Sequence, residues 1–226
     1  MAAPLRIFVT GTDTGVGKTE VSAALLSLLA DAGLHPAPMK PYESGCADRR
    51  QPADALTLRA AARSSDPLED ICPHRFRAPL APGIAARRQH AVPSIDRTLQ
   101  AFRRFDRRSL VVEGAGGLLV PIDPERDVID LIALLRLPVL LVARAGLGTL
   151  NHSGLALEAL RRRRIKVRAV VLVRSSSQPD PSVRDNPALI AERHGVAVLG
   201  PVPFVPDPLR RRAAFRRTLR PLFEGT

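Results

Sequence analysis

Short apolar runs alternate along this chain with longer stretches of helical periodicity. The run LRIFVT at 5–10 is dominated by apolar and β-branched residues and reads as a buried strand. In KTEVSAALLSLLADAG, which begins at Lys18, apolar residues return every three or four positions, and Gly33 stands where the helix would end. The same alternation predicts further strands at 36–39, 109–113, 138–143, 167–173 and 196–200, with helices at 54–63, 94–105, 127–135, 150–163 and 186–193. Strands that are apolar throughout, with helices between them, imply an α/β fold: a mostly parallel sheet with helices on both faces. Ligands of such sheets collect at the carboxyl ends of the strands. Two stretches break the pattern. The proline-containing region 64–92 reads as irregular, either a loop over the site or part of a subunit contact, and SSSQPDPS at 175–182 reads as an exposed loop.

Composition narrows the function classes. A chain of 226 residues suits one sizeable core, and 45% hydrophobic with 25% charged residues is the make-up of an ordinary globular protein. No run approaches the ~18–20 apolar residues of a membrane helix, and MAAPLRIFVTG is too short an apolar start for a signal peptide, so the cytoplasm is the expected location. Cys46 and Cys72 are too few for a disulfide scaffold, and neither they nor the five histidines are spaced as a metal site. The net charge of +12 invites a nucleic-acid partner, yet the basic residues are spread along the chain and 4% aromatics leave few stacking platforms. The runs RRRRIKVR at 161–168 and RRRAAFRRTLR at 210–220 read as solvated helix faces, with neither membrane nor nucleic acid as the expected partner.

The chemistry begins at the end of the first predicted strand, with GTDTGVGKT at 11–19. Successive backbone N–H groups at a glycine turn that opens into a helix form a cradle for phosphate oxygens. Gly15, Val16 and Gly17 would supply the cradle, Lys18 a charge at the β- and γ-phosphates, and Thr19 a hydroxyl for magnesium. Five residues rather than the usual four separate Gly11 from Gly17, and Gly15 is placed to open the turn instead. A nucleotide site in a P-loop NTPase-like domain spanning 1–226 is therefore expected. A magnesium nucleotide also needs a carboxylate. Glu113 closes a predicted strand and is followed by Gly114, Ala115 and Gly116, small enough for a ligand to approach the backbone. Asp54, at the head of a predicted helix, is a second candidate, with helix capping as its competing role.

Lysine fills only three of the 34 basic positions: Lys18, Lys40 and Lys166. At Lys40, in MKPYESGC, this points to a requirement for a compact ammonium where a planar guanidinium would not serve.

Taken together, GTDTGVGKT, KPYESG at 40–45, DALTL from Asp54, EGAGGLLVPI from Glu113 and LVARAGLGTLNH at 141–152 resemble the dethiobiotin synthetase family, in its order and over most of the chain from 5 to about 206. The resemblance implies an ATP-dependent ligase acting on 7,8-diaminononanoate and carbon dioxide, with Mg2+ and ATP. One amine becomes a carbamate, the carbamate attacks the γ-phosphate, and the second amine closes the ureido ring. It further implies that Lys40 and Lys18 serve catalysis, that Thr14 and Ser44 bind the diamine or its carbamate, and that Thr19, Asp54 and Glu113 surround magnesium, with Gly114–Gly116 near the nucleotide. Gly148, Leu150 and Asn151 would open a helix that completes the other subunit's substrate site, so a homodimer is implied.

Two positions depart from the family. Where it offers an adenine-reading asparagine, this chain has Val173 and Arg174, which predicts a relaxed nucleotide preference; Pro203, Phe204 and Val205 remain to pack on the base. In APLAPGIAA at 78–86, Gly83 stands where a histidine often follows the proline. The alternatives are a partitioning- or positioning-type regulatory ATPase, whose loop usually carries lysine at the position of Asp13, and an amidotransferase-type ligase, which would need a further glutamine-handling domain.

Overall fold

The computed structural model describes residues 4–223. In chain order the elements are β1 (Arg6–Gly11), α1 (Lys18–Asp31), β2 (Ala37–Met39), β3 (Tyr42–Glu43), α2 (Ala53–Ala61), α3 (Leu68–Ile71), β4 (His74–Arg75) and α4 (Pro82–Arg88), then α5 (Ile95–Arg103), β5 (Leu110–Gly117), α6 (Val128–Leu135) and β6 (Val139–Arg144). They end with α7 (Thr149–Arg162), β7 (Val167–Val173), α8 (Ser182–His194), β8 (Val198–Val202) and α9 (Pro208–Leu219), followed by a 3-10 turn. Six strands form one parallel sheet in the order β2-β5-β1-β6-β7-β8, as the alternation of strands and helices requires.

Because successive strand residues point to opposite faces, each strand feeds two cores. Phe8, Met39, Leu110, Val112, Leu141 and Leu172 pack on one face against α6 and α7, joined by side chains of α5 and α8. Ile7, Val9, Val111, Leu140, Val142 and Val171 pack on the other, under α1, α2 and α9. Each fully buried large side chain contributes about 1.5–3 kcal/mol, so the two-sided burial opposes a slip in strand register. The chain leaves β1 for the β2 side first and returns to the β6 side later, so the switch in direction falls at β1, where α/β sheets bind ligands.

The region 64–92 is more ordered than its prolines suggest. It holds α3, β4 and α4, and β4 pairs with β3 as a separate two-stranded parallel sheet, Tyr42 beside His74 and Glu43 beside Arg75. Several boundaries also differ from expectation. β5 continues through the glycines to Gly117 because Gly11 of β1 pairs with it, and β8 lies at 198–202 rather than 196–200. α8 starts at Ser182 and carries Pro187 inside it. Among the described residues no helix is long and apolar enough to cross a membrane.

Candidate functional site

A cleft of about 730 Å³ opens at the carboxyl edge of the sheet, beside β1. Its floor is the turn between β1 and α1. Gly17 caps α1 with φ 99°, a left-handed conformation that only glycine adopts without strain, and Gly15 has φ 69°. The first turn of α1 thereby aims its free N–H groups into the cleft. Lys18, the first residue of α1, is buried and donates to the Asp13 carbonyl at 2.7 Å. Burial, and then the nearby Lys40 ammonium, lower its pKa to about 8.

Above the loop lies a knot of charged groups drawn from three elements. Lys40, just after β2 and only 4% exposed, donates to Glu113 Oε1 at 2.5 Å and to the Gly114 carbonyl at 3.3 Å, and pairs with Asp54 Oδ2 at 2.8 Å. Thr19 donates to the same Glu113 oxygen at 2.9 Å. Burial alone would depress the Lys40 ammonium, but the carboxylates of Glu113 and Asp54 outweigh it and hold it charged, above the ordinary lysine range. Burial raises Asp54, and the Lys40 charge and hydrogen bond overcome that and leave it low. An ammonium that meets two carboxylates and a carbonyl at once is the use to which a compact, freely rotating donor is suited, and a planar guanidinium is not.

Asp54 is aimed by a residue the sequence reading passed over. α2 begins after Pro52, which offers no side-chain cap, and the buried Glu43 carboxylate from β3 accepts instead from the N–H groups of Asp54 at 3.0 Å and Ala55 at 2.9 Å. Asp54 is thus free to face Lys40 rather than cap its own helix. Tyr42, which also lines the cleft, stacks on buried His74 at 4.9 Å and accepts from Thr98. Burial lowers the His74 pKa to about 4, so the ring is neutral and donates from Nε2 to the Ser94 carbonyl at 3.0 Å.

Of the residues singled out from sequence, Thr14, Gly15, Val16, Gly17, Lys18, Thr19, Lys40, Ser44, Asp54, Glu113, Ala115 and Gly116 line the one cleft. On the β7–β8 side Val173, Arg174, Pro203, Phe204 and Val205 do so too, with the Arg174 guanidinium donating to the Gln178 carbonyl. Gly114 differs: a Cβ there would come within 2.9 Å of the Phe8 ring, so its missing side chain serves core packing and only its carbonyl meets Lys40. Gly148, Leu150 and Asn151 stand apart from this chain's cleft, exposed at the start of α7. Gly83 lies against the Pro121 backbone, with a prospective Cβ 3.1 Å from that carbonyl oxygen, which leaves no room for a larger residue unless the backbone shifts. The wall contributed by Pro79–Pro82 comes from the region 64–92, read as either a loop over the site or part of a subunit contact. Arg144 and Arg211 were missed; the latter donates to the carbonyls of Val205 and Pro206 and so braces the loop under Phe204.

The donor set suits a hard cation. Among the described residues no three His, Cys, Asp or Glu side chains are grouped to hold a metal, but Thr19, Asp54 and Glu113 offer one hydroxyl and two carboxylates, and Glu113 Oε2 is buried with no hydrogen-bond partner. Two carboxylates with room for water and phosphate oxygens match magnesium on a nucleotide, which seldom takes an all-protein cage.

Comparisons with known proteins bear on the fold and the family. A family model described as an AAA domain matches residues 5–210. The MinD cell division protein of Aquifex aeolicus shares the fold, with a TM-score of 0.59 over 98% of each chain at 14% identity. The ATP-dependent dethiobiotin synthetase BioD of Anaeromyxobacter sp. (strain K) is 51% identical over 210 residues, 91% of this chain and 92% of the relative. That of Bacillus subtilis (strain 168) is 35% identical over 87% of this chain and 86% of its own. On that identity, across nearly the whole of both sequences, the chain belongs to the ATP-dependent dethiobiotin synthetase family.

Proposed function

We propose that this protein uses ATP to close the ureido ring of dethiobiotin from 7,8-diaminononanoate and carbon dioxide. The observation that carries this reading is the buried Lys40 ammonium between Glu113 and Asp54, above a phosphate loop and beside Ser44. A carbamate and a transferring phosphoryl group are both anionic, so their reaction needs fixed cations in a site that excludes water.

The amine of the diamine attacks carbon dioxide and loses a proton, giving a carbamate held by the Thr14 and Ser44 hydroxyls. A carbamate oxygen then attacks the γ-phosphorus, the bond to the β–γ bridging oxygen breaks, and the electron pair leaves on ADP. Lys18, aimed by the loop, holds the β- and γ-oxygens. Lys40 swings its three N–H donors between its carboxylates and the transferred group, and the second amine displaces phosphate from the mixed anhydride to close the ring. Thr19, Asp54 and Glu113 would hold magnesium, whose charge screens the phosphates when it is bound.

Val173, Pro203, Phe204 and Val205 form the base wall. It carries no side-chain amide, so it selects poorly among bases. Gly148, Leu150 and Asn151 serve the distal carboxylate of a substrate in a second copy's cleft, so a homodimer is the working unit. A single domain over 1–226, termini outside the described residues included, and a cytoplasmic setting complete the reading.

Feeding 13C-bicarbonate, MgATP and 7,8-diaminononanoate to the protein should yield dethiobiotin one mass unit heavier, with one phosphate released per product. Phosphate release that ignores the diamine would instead favour the positioning-type regulatory ATPase, which shares the fold.

A further inference from the structure

The proposed mechanism uses Lys18 and Lys40, but a third cation faces the same cleft. Arg144 is the last residue of β6, the strand hydrogen-bonded to β1 on the side away from β5. The pairing continues one step past β1, where Thr12 donates to the Val142 carbonyl at 2.9 Å, so the backbone of Arg144 is fixed directly beside the phosphate loop. Its guanidinium reaches over that loop, with Nη2 3.3 Å from Asp13 Oδ2 and 3.5 Å from the Thr14 carbonyl.

The loop is gripped from two sides at this point. Lys18 takes the Asp13 carbonyl from within the cleft, the Asp13 carboxylate accepts from the Thr14 N–H at 2.6 Å, and Arg144 meets the carboxylate's other oxygen from the sheet edge. The ion pair joins side chains 53% and 59% exposed, a setting in which such pairs add almost nothing to stability. Its bonds are long, and among the described residues Nε and Nη1 make none. What the arrangement does supply is charge. A bare Asp13 carboxylate on the lip of an anion cradle would repel a triphosphate, and Arg144 both cancels it and lines the cleft with Nε and Nη1 uncommitted.

We propose that Arg144 is a further catalytic residue, which donates to the oxyanions of the γ-phosphoryl group and of the mixed anhydride as phosphate passes from nucleotide to carbamate. The assignment rests on the dethiobiotin-forming reading above. A guanidinium keeps its charge and gives up no proton in this step, while the phosphorus exchanges its bridging oxygen for a carbamate oxygen. Short movement of an exposed, weakly held side chain suffices, and Asp13 sets its starting position.

The test compares wild type with Arg144→Ala and Arg144→Lys under saturating diamine and bicarbonate. Loss of a donor used only in the transition state should lower kcat about 100-fold in the alanine variant while KM for MgATP stays within about threefold. Added guanidinium should restore part of kcat to Arg144→Ala, and lysine should retain part of it, with thermal midpoints unchanged. Wild-type kcat in Arg144→Ala, a change confined to KM, or a loss that neither guanidinium nor lysine repairs would each overturn the assignment. A wild-type protein that makes no dethiobiotin would instead bring down the reading beneath it, a result distinct from any of these.

Discussion

The two halves of the sheet present opposite kinds of surface to one cleft. On the β2-β5-β1 side, Lys40 and Glu113 are buried and joined to the partly exposed Asp54 and Thr19, with Glu43 fixing the helix that carries Asp54. On the β6-β7-β8 side, Arg144 is half exposed, Arg174 turns to its own loop and Phe204 is 41% exposed. On the reading proposed above, the first side pairs its cation with carboxylates, whereas the second offers a base wall and one loosely held guanidinium. The two sides thus differ in how closely their charged groups are paired.

Removing a member of the buried half should break that contrast most severely. Glu113→Gln leaves Lys40 with a single carboxylate in the interior, and we expect activity to fall by about 1000-fold with roughly 3 kcal/mol of stability lost, read from initial rates and urea unfolding.

The support beneath the buried half is next. His74 is held neutral in the folded chain, its pKa lowered from 6.5 to about 4 by burial. A depressed folded pKa gives stability that is complete above pH 6.5 and declines as pH falls toward 4, because the unfolded chain takes up the proton first. The decline should reach about 3 kcal/mol at most. Urea titrations at stepped pH should show it, and His74→Phe should flatten that window.

Glu43→Gln sharpens the comparison by loosening Asp54 without touching it. The weakened cap should cost about 1 kcal/mol, with kcat down about tenfold and KM for MgATP nearly unchanged, as expected of a positioning residue. The smallest effect belongs to the base wall. With no amide facing the base wall, ATP, GTP and CTP should be used with kcat/KM values within about tenfold of one another; consumption of ATP alone from an equal mixture would contradict that.

Much of the buried half was legible in the sequence because its parts lie at strand ends or in glycine turns. The alternating apolar runs placed Glu113 at the edge of a parallel strand, and GTDTGVGKT placed Lys18 and Thr19 at a helix start. The role of Glu43 was not legible: it depends on a two-residue strand whose partner is His74 and Arg75, a pairing with no periodicity to read. α9 was hidden by composition. Ala214, Phe215 and Leu219 form its buried stripe, but arginines surround them and the segment reads as solvated. Helix ends were blurred for a related reason, since Arg136 and Arg164 occupy left-handed positions where glycine is the usual marker, and their charges complement the helix carboxyl termini. Arg144 was overlooked because an arginine among so many carries no signal until the loop beneath it is seen.

The central claim is that a lysine, and not merely a cation, is required at position 40. It is tested most directly by measuring diamine-dependent phosphate release and dethiobiotin formation by wild type and Lys40→Arg, with urea unfolding of both. The account predicts product with matching phosphate from the wild type, and a folded variant that retains under about 1% of that rate, because a planar guanidinium cannot follow the transferred group. A folded Lys40→Arg protein with near wild-type turnover would contradict it.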